Sequence, residues 1–123
     1  MISFDSFIME DGMPIYLQIL LFVKRGIIAG MITDGDELPS RRVLSALLGV
    51  NPNTVQKAYR LLEEDGLIQS HSGAKSYVVL DDAVKERIRS ELLESDAKSV
   101  ISAMRQMGLT KEEAVALIEK YWE

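Results

Sequence analysis

The side chains best suited to chemistry in this chain are basic and amide groups, and they gather in one stretch. Residues 38–62 contain Arg41, Arg42, Lys57 and Arg60 and no acidic residue. The rest of the chain is acidic, because the full sequence has 14 basic and 19 acidic side chains and a net charge of −5. A local basic face on an acidic protein is compatible with DNA binding, although a charge cluster of this size can also arise by chance.

Catalytic and metal chemistry are largely excluded by the residue types that the chain lacks. It has no Cys and a single His, at position 71. Disulfides, thiolate metal sites, cysteine nucleophiles and multi-histidine metal sites are therefore ruled out. No nucleophile with an adjacent base is visible, so we predict that the protein is not an enzyme and uses no cofactor.

Length and hydropathy limit the class of protein further. The 123 residues, 47% hydrophobic and 27% charged, suit one modest soluble domain. The longest apolar stretch, residues 15–32, is interrupted by Lys24 and Arg25, whereas a membrane-spanning helix needs about 20 predominantly apolar residues. The first residues lack a basic region and do not read as a signal peptide. We expect no membrane contact and a cytoplasmic location.

The spacing of apolar residues predicts two helices in the first half of the chain. Pro14 suits the first position of a helix over residues 14–31. Ser40 is a good N-cap for a short helix over residues 41–48, and Gly49 is a left-handed cap at its end. The residues of this short helix expected to point inward are Val43, Leu44, Leu47 and Leu48. Residues 33–37 have the composition of a loop, and the leader around Ile2 and Phe4 suggests a short strand.

A third helix is predicted over residues 52–65, with Asn51 as its N-cap. Its outward strip comprises Asn53, Lys57, Arg60 and Glu64, flanked by Thr54 and Gln56 near the N-terminal end. Any amphipathic helix has a solvated polar face, so the strip alone favours no function. The short helix before it, the glycine turn and two strand-like segments, 67–71 and 76–80, favour a winged helix-turn-helix. In that motif the second helix enters the DNA major groove, where amides can bind adenine and cations can bind guanine.

Four motifs make residues 14–80 resemble the GntR family of bacterial winged-helix transcription regulators. They are Pro-Ile-Tyr-Leu-Gln-Ile at 14–19, Leu-Pro-Ser-Arg-Arg at 38–42, Asn-Pro-Asn-Thr-Val-Gln-Lys-Ala-Tyr at 51–59 and Leu-Glu-Glu-Asp-Gly-Leu-Ile at 62–68. The short tail is similar to that of the YtrA-like subfamily, whose members often control transporter operons. The resemblance implies a mostly α fold with a small β-hairpin wing. A winged helix-turn-helix domain is expected over residues 1–80, and a C-terminal helical dimerisation tail over residues 81–123.

The resemblance also implies which residues bind double-stranded DNA. They are Ser40, Arg41, Arg42, Asn51, Asn53, Thr54, Gln56, Lys57, Arg60, His71, Ser72, Gly73 and Lys75. Arg41 stands where many relatives have Glu. The wing tip reads Gly73-Ala74-Lys75 instead of Gly-x-Gly, so it loses a glycine and offers a cation. His71 is expected near phosphate or simply exposed, and Tyr16 and Tyr59 are expected in the core rather than on DNA.

The tail carries more apolar surface than one small winged helix can cover. A long helix, which Ser95-Asp96 either breaks or kinks, is expected to end at Gly108. A capping box at Thr110–Glu113 then opens a final helix. Uncovered apolar stripes usually meet a partner, and a symmetric homodimer is the commonest solution. The predicted interface is Val84, Ile88, Leu92, Val100, Ile101, Met104, Leu117, Ile118, Tyr121 and Trp122. Methionines such as Met104 and Met107 suit either ordinary dimer core or a ligand held between subunits, so the existence of a small-molecule effector stays open.

Two functions follow from these patterns. The first is a homodimeric, sequence-specific regulator of transcription, most simply a repressor, acting on a two-fold operator. The second is a winged-helix protein-interaction module that has lost DNA binding. The acid-free stretch over residues 38–62 favours the regulator, and the acidity of the whole chain favours the interaction module.

Overall fold

The computed structural model describes residues 1–71 and 75–123. Its elements are α1 (Ile15–Ile28), β1 (Glu37–Leu38), α2 (Arg41–Leu48), α3 (Pro52–Glu64), β2 (Ile68–Ser70), β3 (Ser76–Val78), α4 (Asp82–Gln106) and α5 (Lys111–Tyr121). They divide into two compact units, Met1–Ile88 and Arg89–Glu123. In the described part of the chain, no helix is long and apolar enough to cross a membrane.

Local caps fix the turn between α2 and α3, as the sequence predicts. The Ser40 hydroxyl accepts a hydrogen bond from the Val43 N–H at 3.1 Å, and the Asn51 side chain accepts one from the Asn53 N–H at 2.8 Å. Gly49 ends α2 with φ of 68°, in the left-handed region that a glycine adopts without steric cost. These three residues set where α3 begins relative to α2.

The core of the first unit lies where α1 and α2 pack against α3. Ile19, Val23 and Ile27 form the buried side of α1, and Tyr59 and Leu62 form that of α3. Tyr59 is buried and donates a hydrogen bond from its hydroxyl to the Pro39 carbonyl at 2.7 Å, as its predicted core position requires. This bond ties α3 to the segment that leads into α2.

The face of α2 differs from the prediction. Leu44 is fully buried and Leu48 half-buried, but Val43 and Leu47 are 54% and 60% exposed. The expectation that both of these point inward is therefore wrong. Leu44 and Ser45 are the two buried residues of α2. The buried face therefore runs along Leu44, Ser45 and Leu48, and the opposite side is exposed to solvent.

The sheet contains a strand that overlaps a segment predicted to be a loop. Its order is β1-β3-β2 and all pairings are antiparallel, with Leu38 opposite Ser76 and Ser70 also opposite Ser76 on the other side. The loop prediction for residues 33–37 is therefore wrong at Glu37, which pairs with Tyr77. A two-residue strand is too short to show alternation, and it forms because β3 offers unpaired backbone groups on its second edge.

The leader does not form the short strand suggested for it. Ile2 and Phe4 are both buried, and the Ile2 N–H donates to the Glu37 carbonyl at 2.8 Å. Gln18 holds the following segment, because its side-chain amide donates to the Glu10 and Met13 carbonyls at 2.9 and 2.7 Å. Burial, one backbone hydrogen bond and the side-chain bonds of Gln18 therefore position the leader.

The rest of the chain forms two helices, α4 and α5. The helix α4 continues through Ser95-Asp96 without a break, which answers the question that the sequence left open. Its first two turns belong to the first unit, where Ile88 is buried and the Arg87 guanidinium bonds the Asp65 carboxylate at 3.1 Å. In the second unit, α5 opens with the predicted capping box between Thr110 and Glu113.

Candidate nucleic-acid interface

The first turns of α3 present a cluster of amide and hydroxyl side chains. Asn51, Asn53 and Gln56 are exposed, and Thr54 is half-buried. The Asn51 side-chain oxygen caps the helix, so its amide N–H2 is the group that can bind DNA. All four are predicted DNA contacts, and the structure brings them together at the N-terminal end of the helix.

The cations near this cluster differ in the contacts that hold their side chains. Arg42 is exposed at the start of α2. The Lys57 ammonium lies 4.0 Å from the centre of the Tyr16 ring, a cation–π contact that limits its range. Arg60 lies 3.9 Å from Glu64, and both side chains are more than half exposed, so this pair constrains Arg60 weakly.

The Arg41 guanidinium is turned toward the wing strands. Its Nη1 lies 3.5 Å from the Ser76 hydroxyl and its Nη2 lies 3.4 Å from the Ser70 hydroxyl. Its Cζ is 5.1 Å from the centre of the Tyr59 ring. Burial raises the pKa of the Tyr59 hydroxyl, and the Arg41 charge partly opposes that effect. Arg41 thus contacts both wing strands and α3, whereas Lys57 contacts α1.

The wing brings two further predicted residues to the surface. His71 and Lys75 are exposed, and the His71 N–H donates to the Lys75 carbonyl at 2.9 Å. The His71 ring also meets the Tyr77 ring edge to face, with centroids 5.3 Å apart. The predicted contacts at Ser72 and Gly73 lie outside the described residues.

The residues that support the wing were not predicted from the sequence. The Glu63 carboxylate accepts a hydrogen bond from the Ser70 N–H at 3.2 Å, which joins β2 to the end of α3. The Ser70 and Ser76 hydroxyls are 3.1 Å apart. Serines in short strands carry no signal by themselves, and only the strand register could have indicated this pair.

The residues predicted for a dimer interface divide by burial. Ile88 is 1% exposed in the first unit, and its place in an interface stays a prediction. Leu92 is also buried, and Val84 and Met104 are half-buried. The others are exposed: Val100, Ile101, Leu117, Ile118, Tyr121 and Trp122.

The second unit contains an apolar groove of about 500 Å³ between α4 and α5. Its lining includes Val100, Met104, Leu109, Val115 and Ile118, with Arg105 and Lys111 as its charged members. No described residue of α5 is buried. The helix pair therefore leaves most of its apolar surface uncovered in the single chain.

Comparisons with known proteins agree with this architecture. The profile of the bacterial regulatory proteins of the gntR family matches residues 15–78. The transcriptional repressor YtrA of Bacillus subtilis is 33% identical over 114 residues, which cover 93% of this chain and 83% of that protein.

Two solved structures extend the likeness through the tail. A GntR family transcriptional regulator from Listeria monocytogenes is 34% identical, with a TM-score of 0.79 over 91% of this chain and 98% of that one. YtrA from Sulfolobus acidocaldarius is 30% identical, with a TM-score of 0.57 over 97% and 94% of the two chains. GntR regulators bind DNA and are not enzymes, as the sequence predicts. This chain therefore belongs to the GntR family of transcription regulators, as a YtrA-like member.

Proposed function

We propose that this protein is a sequence-specific repressor that binds a two-fold operator as a homodimer in the cytoplasm. The observation that carries the proposal is the exposed row of Asn51, Asn53 and Gln56 on the first turns of α3. Amide side chains can make paired hydrogen bonds to adenine, and the N-terminal residues of a recognition helix are those that reach base edges. The repressor role is supported by the name of the similar YtrA, and a transporter operon is the expected target of this subfamily.

The proposed DNA contacts fall into two kinds. Asn53, Thr54 and Gln56 read bases, with Asn51 at the edge of the groove. The phosphate contacts come from Ser40, Arg42, Lys57, Arg60, His71 and Lys75. Phosphate contacts position the protein without reading sequence, whereas base contacts supply the preference. The cap bond that the Ser40 oxygen accepts leaves its O–H able to donate to a phosphate.

The base-reading role is tested by Asn53→Ala. The parent protein first selects a duplex from a random pool, and binding to that duplex and to single-base variants of it is then measured. We expect Asn53→Ala to lose about 1–3 kcal/mol of discrimination at one base pair, with an unchanged helical circular dichroism signal. The matched control is Gln106→Ala, which removes an amide that is exposed in the second unit.

The same titrations separate the regulator from the alternative interaction module. A DNA-binding protein loses affinity steeply as salt rises, because phosphate contacts release counterions. If Asn53→Ala kept both the affinity and the base preference of the parent, α3 would not be the reading helix. If the parent bound every duplex weakly and without dependence on salt, the interaction module would replace the regulator.

The homodimer is supported by the second unit. Six of the predicted interface residues are exposed there, and Trp122 is 82% exposed. Exposed large apolar side chains usually meet a partner, and in a two-fold homodimer both chains use the same surface. Paired winged helices would then read two half-sites about 34 Å apart.

A further inference from the structure

Arg41 occupies a junction between three elements of the first unit. It is the first residue of α2, its guanidinium lies over the Tyr59 ring of α3, and its two terminal nitrogens face Ser70 of β2 and Ser76 of β3. Ser70 and Ser76 are cross-strand partners, and they form the pair of the wing strands nearest the loop that joins them. One planar side chain therefore touches both strands of the wing and the recognition helix.

The ring beneath Arg41 is itself fixed. Tyr59 is fully buried, and its hydroxyl donates to the Pro39 carbonyl two residues before Arg41. Ser76 is 1% exposed and Ser70 is exposed, so the contact is enclosed on the β3 side and open to solvent on the β2 side. Each of the two hydrogen bonds is long, at 3.4 and 3.5 Å, but the fork holds both hydroxyls at once. A lysine ammonium has no such fork.

The Arg41 side chain is half-buried, and the burial of its Nε has a cost that a fully exposed contact would not have. The Arg41 Nε is buried and has no hydrogen-bond acceptor among residues 1–71 and 75–123. An unpaired buried donor destabilises the fold, so such a group needs a reason to be there. Its neighbour Arg42, one position later, is exposed and carries the same charge.

We propose that Arg41 is a positioning residue that sets the wing against the recognition helix, rather than a residue that binds DNA. The proposal rests on the proposed function, because it concerns how the wing cation Lys75 reaches phosphate while α3 occupies the groove. Without the fork, the two wing strands lose their link to α2 and to the Tyr59 ring. Lys75 then no longer lies at a fixed distance from Asn53 and Gln56.

A double-mutant cycle with Lys75 tests this coupling on the selected duplex. Lys75→Ala alone should weaken binding about tenfold and lower the salt slope by about one unit. In an Arg41→Ala background, Lys75→Ala should add little, because residues that act through one another are not additive. Arg42→Ala is the matched control, and its effect should add fully to that of Lys75→Ala.

Arg41→Lys separates charge from shape. It keeps the positive charge but not the fork, so we expect it to behave like Arg41→Ala in the cycle. If Arg41→Lys bound like the parent, or if Arg41 and Lys75 had additive effects with a separate loss of salt slope for each, Arg41 would be a direct phosphate contact and the proposal would be overturned.

Hydrogen exchange on the free protein tests the wing without any DNA. The His71 amide, bonded to the Lys75 carbonyl, should exchange at least about tenfold faster in Arg41→Ala than in Arg42→Ala. Equal exchange in the two variants would refute the positioning role even if Lys75 proved to make no DNA contact. Faster exchange together with an inert Lys75→Ala would uphold the positioning role and remove Lys75 from the proposed interface.

Discussion

Asp65 shows how one side chain can join three helices. Its carboxylate lies at the end of α3, 3.0 Å from the Lys24 ammonium of α1 and 3.1 Å from the Arg87 guanidinium of α4. Burial by itself raises the pKa of this carboxyl. The hydrogen bonds and charges of Lys24, and then of Arg87, outweigh burial and hold the pKa below its ordinary value of 3.8.

The lowered pKa of Asp65 predicts how stability depends on pH. Because the folded-state pKa is lower than the unfolded one, the ion pairs stabilise the fold fully above about pH 4, and that stabilisation is lost as pH falls through the folded-state value. Asp65→Asn should therefore lower the urea midpoint at pH 7, and its difference from the parent should shrink as pH falls below the ordinary pKa of 3.8. Asp11→Asn, at an exposed position, is the control. A difference that stayed constant with pH would contradict this assignment.

Single residues were predictable from sequence where their role is local. Asn53 and Gln56 follow a cap and a proline that fix the start of a helix, so their exposure could be inferred from spacing. The contacts of Arg41 with Ser70 and Ser76 were not predictable, because these partners are 29 and 35 residues away in the chain. Arg41 was therefore predicted to bind DNA like the other cations. Contacts at that separation depend on the register of the sheet, which the sequence alone does not supply.

At the scale of elements, the turn between α2 and α3 depends on Gly49. Its φ of 68° is unfavourable for a residue with a Cβ, although, apart from Gly49 and its two chain neighbours, no described residue has an atom within 4 Å of where that Cβ would be. Gly49→Ala should therefore cost about 1–2 kcal/mol of stability through the backbone alone. Gly49→Asn should cost less, because Asn tolerates this conformation. Chemical denaturation measures both, and equal stability of the alanine variant and the parent would show that α2 ends differently.

Helices were predictable from sequence where capping residues mark their ends. Ser40, Gly49 and Asn51 mark the limits of α2 and α3, and the Thr110 capping box marks the start of α5. The strand β1 carries no such signal, because it has two residues and forms only where β3 leaves an edge. The exposure of Val43 and Leu47 escaped for a related reason: apolar spacing on an eight-residue helix fits more than one buried face.

At the scale of the whole molecule, the proposed homodimer rests on the uncovered apolar surface of the second unit. Ile118 lines the groove between α4 and α5, and Ala116 stands two residues earlier on α5. Two residues on a helix turn the side chain by about 200°, so these positions lie on opposite faces. Glutamate at position 118 therefore tests loss of the interface, and glutamate at position 116 is the control for the added charge.

Ile118→Glu should dissociate the proposed dimer, because a carboxylate in an apolar interface has to be desolvated without a partner. Sedimentation should give a monomer at micromolar concentration, whereas Ala116→Glu should sediment like the parent. The monomer should bind one half-site as the parent does. On the two-fold duplex it should lose about 10²-fold or more in affinity, since linked half-sites bind with a high effective concentration.

Trp122 fluorescence should respond to dilution of the parent but not of Ile118→Glu. A parent that is monomeric at micromolar concentration, or an Ile118→Glu variant that binds the two-fold duplex as tightly as the parent, would exclude this tail as the source of dimerisation.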